Sequence, residues 1–402
     1  MQILFLATWY PYPADNGSKI RVYHLLRALA QQHSVTLAAF AFGTAEPANH
    51  DQLPFCESVH TVAHNPFLSS RLYHAFRFFS PQPIVDLPVA AMRQLVNKLL
   101  ATQEFDLIIA SNTTMATYAR QAPHIPAVLE EHNSVSRWLA ENVTGAATAL
   151  RRGRAWLVWR KQCAYERRLA RHVNLFTMVS EADTAVTRQL LSGLATPVAT
   201  VPNGVDCTYN QFGQTARTPA TLVFNGSLTY SVNLASIRYF LDTIFPLIRQ
   251  QIPETTLTIT GSTEGVDLAS LPASDNLIFT GFLPDLRPLM HRCSVCVAPL
   301  LEGGGTRLKI LEAMALGTAV VSTRKGAEGL QVVDGRHLCL ADEPAVFAQA
   351  VVNLLQDADL CAELTQHARE LVETHYDWQQ IGTQFTALVE EVAGTPSAEK
   401  SR

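Results

Sequence analysis

Short, wholly apolar runs recur along this chain, and between them apolar residues fall at helical spacing. The run 1-MQILFLAT-8 has the length of a strand. In 19-KIRVYHLLRALAQQ-32 apolar residues return every third or fourth position, which predicts an amphipathic helix. The run 34-SVTLAAFAF-42 is again a strand, and after a less regular stretch 104-EFDLIIAS-111 and 126-PAVLEEHN-133 read as two more. A long helical region covers roughly 147–172. The strand 173-VNLFTMVS-180 follows, with Ser180 placed to cap a helix that begins EADTAVTRQLL. Apolar strands alternating with helices predict a parallel α/β sheet covered on both faces.

The pattern restarts after 198-VATVPNGVDCTYN-210, where Asn203-Gly204 signals a turn and QFGQTARTPA reads as a loop. The second cycle comprises 221-TLVFNGS-227, a helix over 233–250, 255-TTLTITGS-262, 276-NLIFTGFL-283, 294-SVCVAPLL-301, 318-TAVVST-323 and 337-HLCLA-341. A last helix over about 377–393 carries Trp378, Phe385, Leu388 and Val392, and the tail GTPSAEKSR is expected to be disordered. The expected fold class is therefore α/β, with two Rossmann-like, doubly wound parallel-sheet domains. Ligands of such sheets bind beyond the carboxyl ends of the strands, where the loops 14-ADNGSKIR-21, 225-NGS-227 and the one after Leu301 lie.

Composition narrows the classes. The 402 residues suffice for two domains, and a net charge of -4 gives no global reason to expect nucleic acid as a partner. The opening residues lack a basic segment, and no apolar run reaches about 18 residues, so a cytoplasmic protein is expected. Seven cysteines, an odd number, agree with a reducing compartment. Cys293 and Cys296 form a lone CxxC at the start of an apolar strand, which reads as packing. The 13 histidines show no metal spacing and the acidic residues no tight DxD pair near a loop, so no metal or other cofactor is expected.

The stretch 299-PLLEGGGTRLKILEAMALGTAVVST-323 carries the densest chemistry. It reads as strand, glycine loop and helix over 306–316. Amides of Gly304, Gly305 and Thr306 at the helix start suit an anion. Arg307 and Lys309 flank a face formed by Leu308, Leu311, Ala315 and Leu316, with Glu312 in its middle. A carboxylate there needs a partner. Either the site binds a nucleotide diphosphate, with Glu312 on ribose hydroxyls, or the stretch is a turn whose Glu312 pairs internally with Arg307 or Lys309. It is neither a P-loop nor the dinucleotide fingerprint.

Taken together, GGGTRLKILEAMALGTAVVST, VPNGVD, VSEAD, FNGSL and ITGS resemble the retaining group 1 (family 4) glycosyltransferases of GT-B fold, and FNGSLTYSVNLASIRYFLDTIFPLI is similar to a bacterial branch linked to envelope and exopolysaccharide sugars. The resemblance implies two domains facing across a cleft. An acceptor-side domain would cover 1–203 and a nucleotide-sugar domain 204–375. A helix over 376–393 would return to the N-domain, and 394–402 would be the tail. It implies donor-ribose binding by Glu312, passage of Gly226 and Gly17 near the donor phosphates, and a sugar-facing, catalytic His132. Where the family's first Glu should stand the chain has Gly304, and Glu302 is displaced by two residues. The Arg and Lys that often follow the FNGSL-type loop are absent, so Arg307 and Lys309 are expected to supply the phosphate charge, and amides of Gly303–Gly305 the sugar contact. Charge on the departing diphosphate would be stabilised electrostatically, with front-face attack by a glycan or lipid-linked acceptor.

Two further readings stand beside this one: a sugar-nucleotide epimerase of the same plan, and a non-catalytic partner protein for which Gly304 speaks. The segment 151-RRGRAWLVWRKQCAYERRLAR-171 has eight Arg or Lys against one Glu, with aromatics interleaved. It reads as an ordinary helix with a core stripe and a solvated basic face, or as a peripheral contact with the inner membrane, where lipid-linked acceptors reside.

Overall fold

The computed structural model describes residues 1–42, 50–67, 89–213, 216–272, 274–303 and 307–394. The chain forms two compact units: Met1–Pro202 together with the residues from Ile381 onward, and Asn203–Gln380.

The first unit is built on seven parallel strands, β1 (Gln2–Ala7), β2 (Ser34–Ala41), β3 (Ser58–Ala63), β4 (Leu107–Ser111), β5 (Ala127–Glu130), β6 (Leu175–Met178) and β7 (Val198–Thr200), in the order β3-β2-β1-β4-β5-β6-β7. Its helices are α1 (Gly17–Leu29), α2 (Ala90–Thr102), α3 (Thr113–Ala119), α4 (Val135–Thr144), α5 (Ala149–Ala170) and α6 (Glu181–Leu190). The strand order reverses between β1 and β4. Ser180 caps α6 as its position suggested, its hydroxyl accepting from the Asp183 amide at 3.1 Å. Both β3 and α2 fall in the stretch that looked irregular. The β3 sequence SVHTVA is only half-buried at an edge, so it lacks the continuous apolar run of its neighbours.

The second unit has β8 (Thr221–Asn225), β9 (Thr256–Thr260), β10 (Leu277–Gly281), β11 (Val295–Ala298), β12 (Ala319–Ser322) and β13 (Cys339–Leu340), all parallel, in the order β10-β9-β8-β11-β12-β13. Its helices are α7 (Ser231–Tyr239), α8 (Phe245–Gln251), α9 (Arg287–Arg292), α10 (Leu308–Ala315), α11 (Pro344–Gln356) and α12 (Ala358–His375). Alternation explains why the strands are apolar throughout. Leu222, Phe224, Val295 and Val297 join the core on one face, and Val223, Cys296 and Ala298 join the core on the other. Cys293 and Cys296 are both buried in that second core, which makes them packing residues.

The single helix expected over 233–250 is broken by a π-helical turn at Phe240–Ile244, where the Phe245 amide bonds to the Phe240 carbonyl. Pro246 has no N–H for the carbonyl four residues back, and the wider turn accommodates it.

The last helix, α13 (Trp378–Gly394), begins in the second unit and continues in the first from Ile381. Its buried stripe is Ile381, Phe385, Val389 and Val392, and Leu388 stands only half-buried beside it. Glu390 lies 3.1 Å from His33, and Gln384 donates to the Thr200 carbonyl at 3.1 Å. The expected disordered tail beyond Gly394 lies outside the described residues.

Candidate functional site

In the second unit the strand order reverses between β8 and β11, the place where open α/β sheets bind ligands. Asn225 ends β8 and donates from Nδ2 to Glu312 Oε2 at 3.1 Å. Gly226 follows, its amide bonded to the Thr260 carbonyl at 3.1 Å. Lys309, in the first turn of α10, donates from Nζ to Asn233 Oδ1 at 2.9 Å and lies 4.0 Å from the centre of the Phe224 ring. Asn233 is held in turn by its own Nδ2, which donates to the Ser227 carbonyl at 2.7 Å. A Cβ on Gly226 would stand 2.7 Å from Lys309 Nζ and 2.9 Å from Asn233 Nδ2, so the glycine is what lets an ammonium lie against the loop. Gly261 does the same for the ITGS loop, where a Cβ would come within 2.5 Å of the Ser227 nitrogen.

The helix differs from its expected pattern. Ile310, Leu311, Ala313, Met314, Ala315 and Leu316 are all buried, and the accessible stripe is Leu308, Lys309 and Glu312. Glu312 therefore shares a side with Lys309 and does not sit mid-way along a buried apolar face. A short helix packed between a sheet and α12 buries most of its circumference, and only this stripe stays open. Among the described residues Glu312 makes no ion pair with Arg307 or Lys309, and Asn225 is its partner.

Burial pushes the Glu312 carboxyl up to about 7, against the opposing pull of Lys309 and of Asn225. Burial likewise brings Lys309 down to about 7, assisted by the Arg307 charge and opposed by Glu312. Both side chains retain some accessible surface while burial dominates their acid–base balance.

Arg307 faces differently. Its Nη2 donates to the carbonyls of Glu302 at 3.1 Å and Gly303 at 2.7 Å, while Nε is buried without a partner among the described residues. Gly303 has φ of 92°, a conformation that favours glycine, at the carbonyl that the guanidinium holds. Gly304, Gly305 and Thr306, expected to supply amides, lie outside the described residues.

The other two expected residues belong to the first unit. Gly17 is the exposed first residue of α1, after Asn16, whose side chain accepts from the Lys19 amide at 3.1 Å. His132 follows β5 by two residues. Its Nε2 lies 3.1 Å from Glu130 Oε2 and 2.9 Å from Ser111 Oγ, at the end of β4. Ser111 Oγ donates to the same Glu130 oxygen at 2.8 Å. Arg21 of α1 pairs through Nε with Glu130 Oε1 and through Nη1 with the Pro202 carbonyl at 3.0 Å. Burial pushes the Glu130 carboxyl up, but the Arg21 guanidinium and then His132 bring it below the usual carboxylate range.

The structure thus gathers Gly226, Lys309 and Glu312 in one cluster and places His132 in another, with Gly17 at the start of the helix that contributes Arg21. Asn225, Asn233, Arg21, Glu130 and Ser111 were not singled out by sequence. Arg21 left one signal, a charge inside the apolar stripe of its helix. Asn225 and Asn233 left none, because a polar residue near a strand end is ordinary until its partner is known.

A separate crevice of about 750 Å³ is lined by Phe212, Arg217, Leu354, Cys361 and Arg369. Its arginines are occupied by carbonyls, Arg217 by Cys293 and Gly317, Arg369 by Cys207, Asn210 and Ala315. Among the described residues no group of three or more His, Cys, Asp or Glu is arranged to hold a metal.

In α5 the buried residues Gln162, Tyr165, Glu166, Leu169 and Ala170 form the core stripe, all in its second half. The first half exposes Leu150, Trp156 and Leu157 beside Arg151, Arg152 and Arg154, and Trp138 of α4 is exposed as well. No described helix is long and apolar enough to cross a membrane.

Comparison with known proteins gives these local geometries a frame. Residues 15–209 match the Glycosyltransferase Family 4 family and residues 219–357 match Glycosyl transferases group 1. The chain is 27% identical over 409 residues to a glycogen synthase of Mycobacterium tuberculosis, covering 95% of this chain and 93% of that one. It is 26% identical over 178 residues to an uncharacterized 44.6 kDa protein in the cps region of Klebsiella pneumoniae, 42% of this chain and 45% of that one, so this match spans about half of each. Among solved structures it is similar to a sucrose-phosphate synthase from Thermosynechococcus elongatus, with a TM-score of 0.73, 19% identity and coverage of 98% and 99%. Anabaena HepE in complex with UDP is similar with a TM-score of 0.67, 17% identity and coverage of 97% and 100%.

Proposed function

We infer that this chain, a glycosyltransferase by its two family domains and its GT-B fold, moves a sugar from a nucleoside-diphosphate sugar to a glycan or lipid-linked acceptor, with retention at the anomeric carbon. The observation that carries this is the contact of Lys309 with the Gly226 loop, a turn of helix away from Glu312. An ammonium against a glycine loop suits a diphosphate, and a carboxylate on the same helix suits the two hydroxyls of a ribose. Lys309 takes the place of the missing loop cations, and no metal is needed for the leaving group. Arg307 holds the Glu302 and Gly303 carbonyls and adds its charge to the same end of α10. Gly304, Gly305 and Thr306 would offer amides to the donor, and Gly17 would lie by its phosphates. His132 would touch the sugar and act in the transition state.

The UDP and UDP-glucose complexes of Anabaena HepE support a uridine diphosphate sugar as the first donor to try. The match to a protein of a cps region supports a role in cell-surface polysaccharide synthesis. The exposed Trp138, Leu150, Trp156 and Leu157 among arginines support a peripheral, cytoplasmic-side contact with the membrane that carries such acceptors. Release of nucleoside diphosphate from a panel of sugar nucleotides tests the reading. One donor should be turned over above the rest, and no release from any, with a complete acceptor extract, would sink it.

A further inference from the structure

Lys309 is held by neutral groups. Elsewhere in the chain Lys19 pairs with Asp15 at 3.0 Å and Lys325 with Glu328 at 2.6 Å, so each of those ammonium groups meets a carboxylate. Among the described residues Lys309 meets none. Its Nζ donates to the side-chain oxygen of Asn233 and lies over the face of the Phe224 ring. A buried ammonium without a counter-charge is costly. A neutral acceptor and an aromatic face offset part of that cost without cancelling the charge.

The orientation of the Asn233 amide follows from its partners. The Ser227 carbonyl can only accept, and it receives Nδ2 at 2.7 Å. The ammonium can only donate, and it faces Oδ1 at 2.9 Å. A flipped amide would lose both bonds. Asn233 is buried in the first turn of α7, and its backbone amide bonds to the Tyr230 carbonyl at 3.0 Å, so the side chain starts from a fixed point. Gly226 closes the other flank, because a Cβ there would stand 2.9 Å from Nδ2 and 2.7 Å from Nζ. The titratable groups that act on Lys309 are Glu312 on the same helix, Arg307 just before it, and the Cys296 thiol of β11. Burial pushes that thiol up to about 12, so it carries no charge near neutrality. From β8 and α7 the lysine meets Phe224 and Asn233, neither of which titrates.

We propose that Asn233 is a positioning residue, a neutral clamp that fixes the Lys309 ammonium against the Gly226–Ser227 loop and leaves its charge whole for the diphosphate of the donor. Leucine in its place would fill the volume and hold neither partner. Aspartate would hold the lysine but cancel its charge, and would turn an oxygen on the Ser227 carbonyl. The diphosphate rests on the glycosyltransferase reading, whereas the clamp does not.

NMR on ligand-free protein labelled at the lysine Cε reads the clamp, with the Lys309 signal identified by its loss in Lys309→Met. Its titration midpoint should fall by about one pH unit in Asn233→Leu, where the ammonium loses an acceptor. It should rise in Asn233→Asp, where the ammonium gains a counter-charge. A midpoint that stays in place in either variant overturns the clamp. Calorimetry with UDP and with uridine reads the positioning. Asn233→Leu should weaken UDP about tenfold at about pH 8 and little at about pH 5.5, with uridine unchanged. Asn233→Asp should weaken UDP at both pH values although Lys309 stays charged, and again spare uridine. Equal losses of UDP and uridine at every pH would mean that Asn233 merely pins the loop, and would overturn the proposal. If Asn233→Leu does not fold, Asn233→Asp decides on both readouts. If the parent binds neither nucleotide, the donor reading fails and the NMR result still decides the clamp.

Discussion

At the scale of residues, Lys309 and Glu312 set the behaviour of the site. Glu312 is held by one Asn225 amide and is free to accept from a ribose. Glu312→Ala should weaken UDP binding by about 1.5–3 kcal/mol, the cost of a lost hydrogen bond to a charged group, while thermal stability stays near that of the parent. Calorimetry checks it, and unchanged affinity would mean that the carboxylate is internal. The pH dependence follows from the two shifted groups. Glu312 is raised from 4.5 to about 7, so the stability it contributes below 4.5 is lost as pH rises to about 7. Lys309 is lowered from 10.5 to about 7, so the stability it contributes above 10.5 is lost as pH falls through about 7. The free protein thus carries both penalties near neutrality. A diphosphate bound at Lys309 favours the ammonium. Above about pH 7 binding must therefore take up a proton, and UDP affinity should fall by up to about tenfold per pH unit. Calorimetry in buffers of different ionisation enthalpy should show that uptake in the parent and not in Lys309→Met.

At the scale of elements, the two halves of α5 have different duties. The second half is core, and the first half pairs exposed Trp156 and Leu157 with arginines. Arg160 lies 5.8 Å over the Trp156 ring, so cation and aromatic face the same medium. Replacing Trp138 and Trp156 with Ala should abolish most sedimentation with vesicles rich in anionic lipid and leave turnover of a soluble acceptor unchanged. If binding to such vesicles is indifferent to both tryptophans, the patch is a solvated helix face. Within the other unit, α10 is nearly all core because it packs between the sheet and α12, and one stripe of it stays accessible.

At the scale of the whole molecule, the two units share a topology, and the candidate residues fall in both. Each sheet reverses its strand order once, and each reversal carries a polar cluster beyond the strand ends. The last helix belongs to the first unit from Ile381 onward. Phe385 is fully buried there, and Phe385→Ala should destabilise that unit by about 3–5 kcal/mol. UDP affinity should not change, because Lys309, Glu312 and Gly226 lie in the other unit. Denaturant unfolding followed together with UDP binding separates the two effects, and a matched loss of both would show one cooperative body.

Apolar strand runs and helical spacing were legible along the chain because a parallel sheet buried on both faces demands continuous apolar residues. The alternation of Val295 and Val297 with Cys296 and Ala298 between two cores is that demand met. The lone acid at Glu312 was legible too, as a residue type out of place in an apolar run. What only the tertiary structure decided is pairing. Glu312 is bonded to Asn225, 87 positions away, Lys309 to Asn233, 76 away, and Arg21 to Glu130, 109 away. No local period encodes such contacts. They arise because strands distant in sequence end side by side in a sheet, and only there does a buried charge find the partner that makes its burial tolerable.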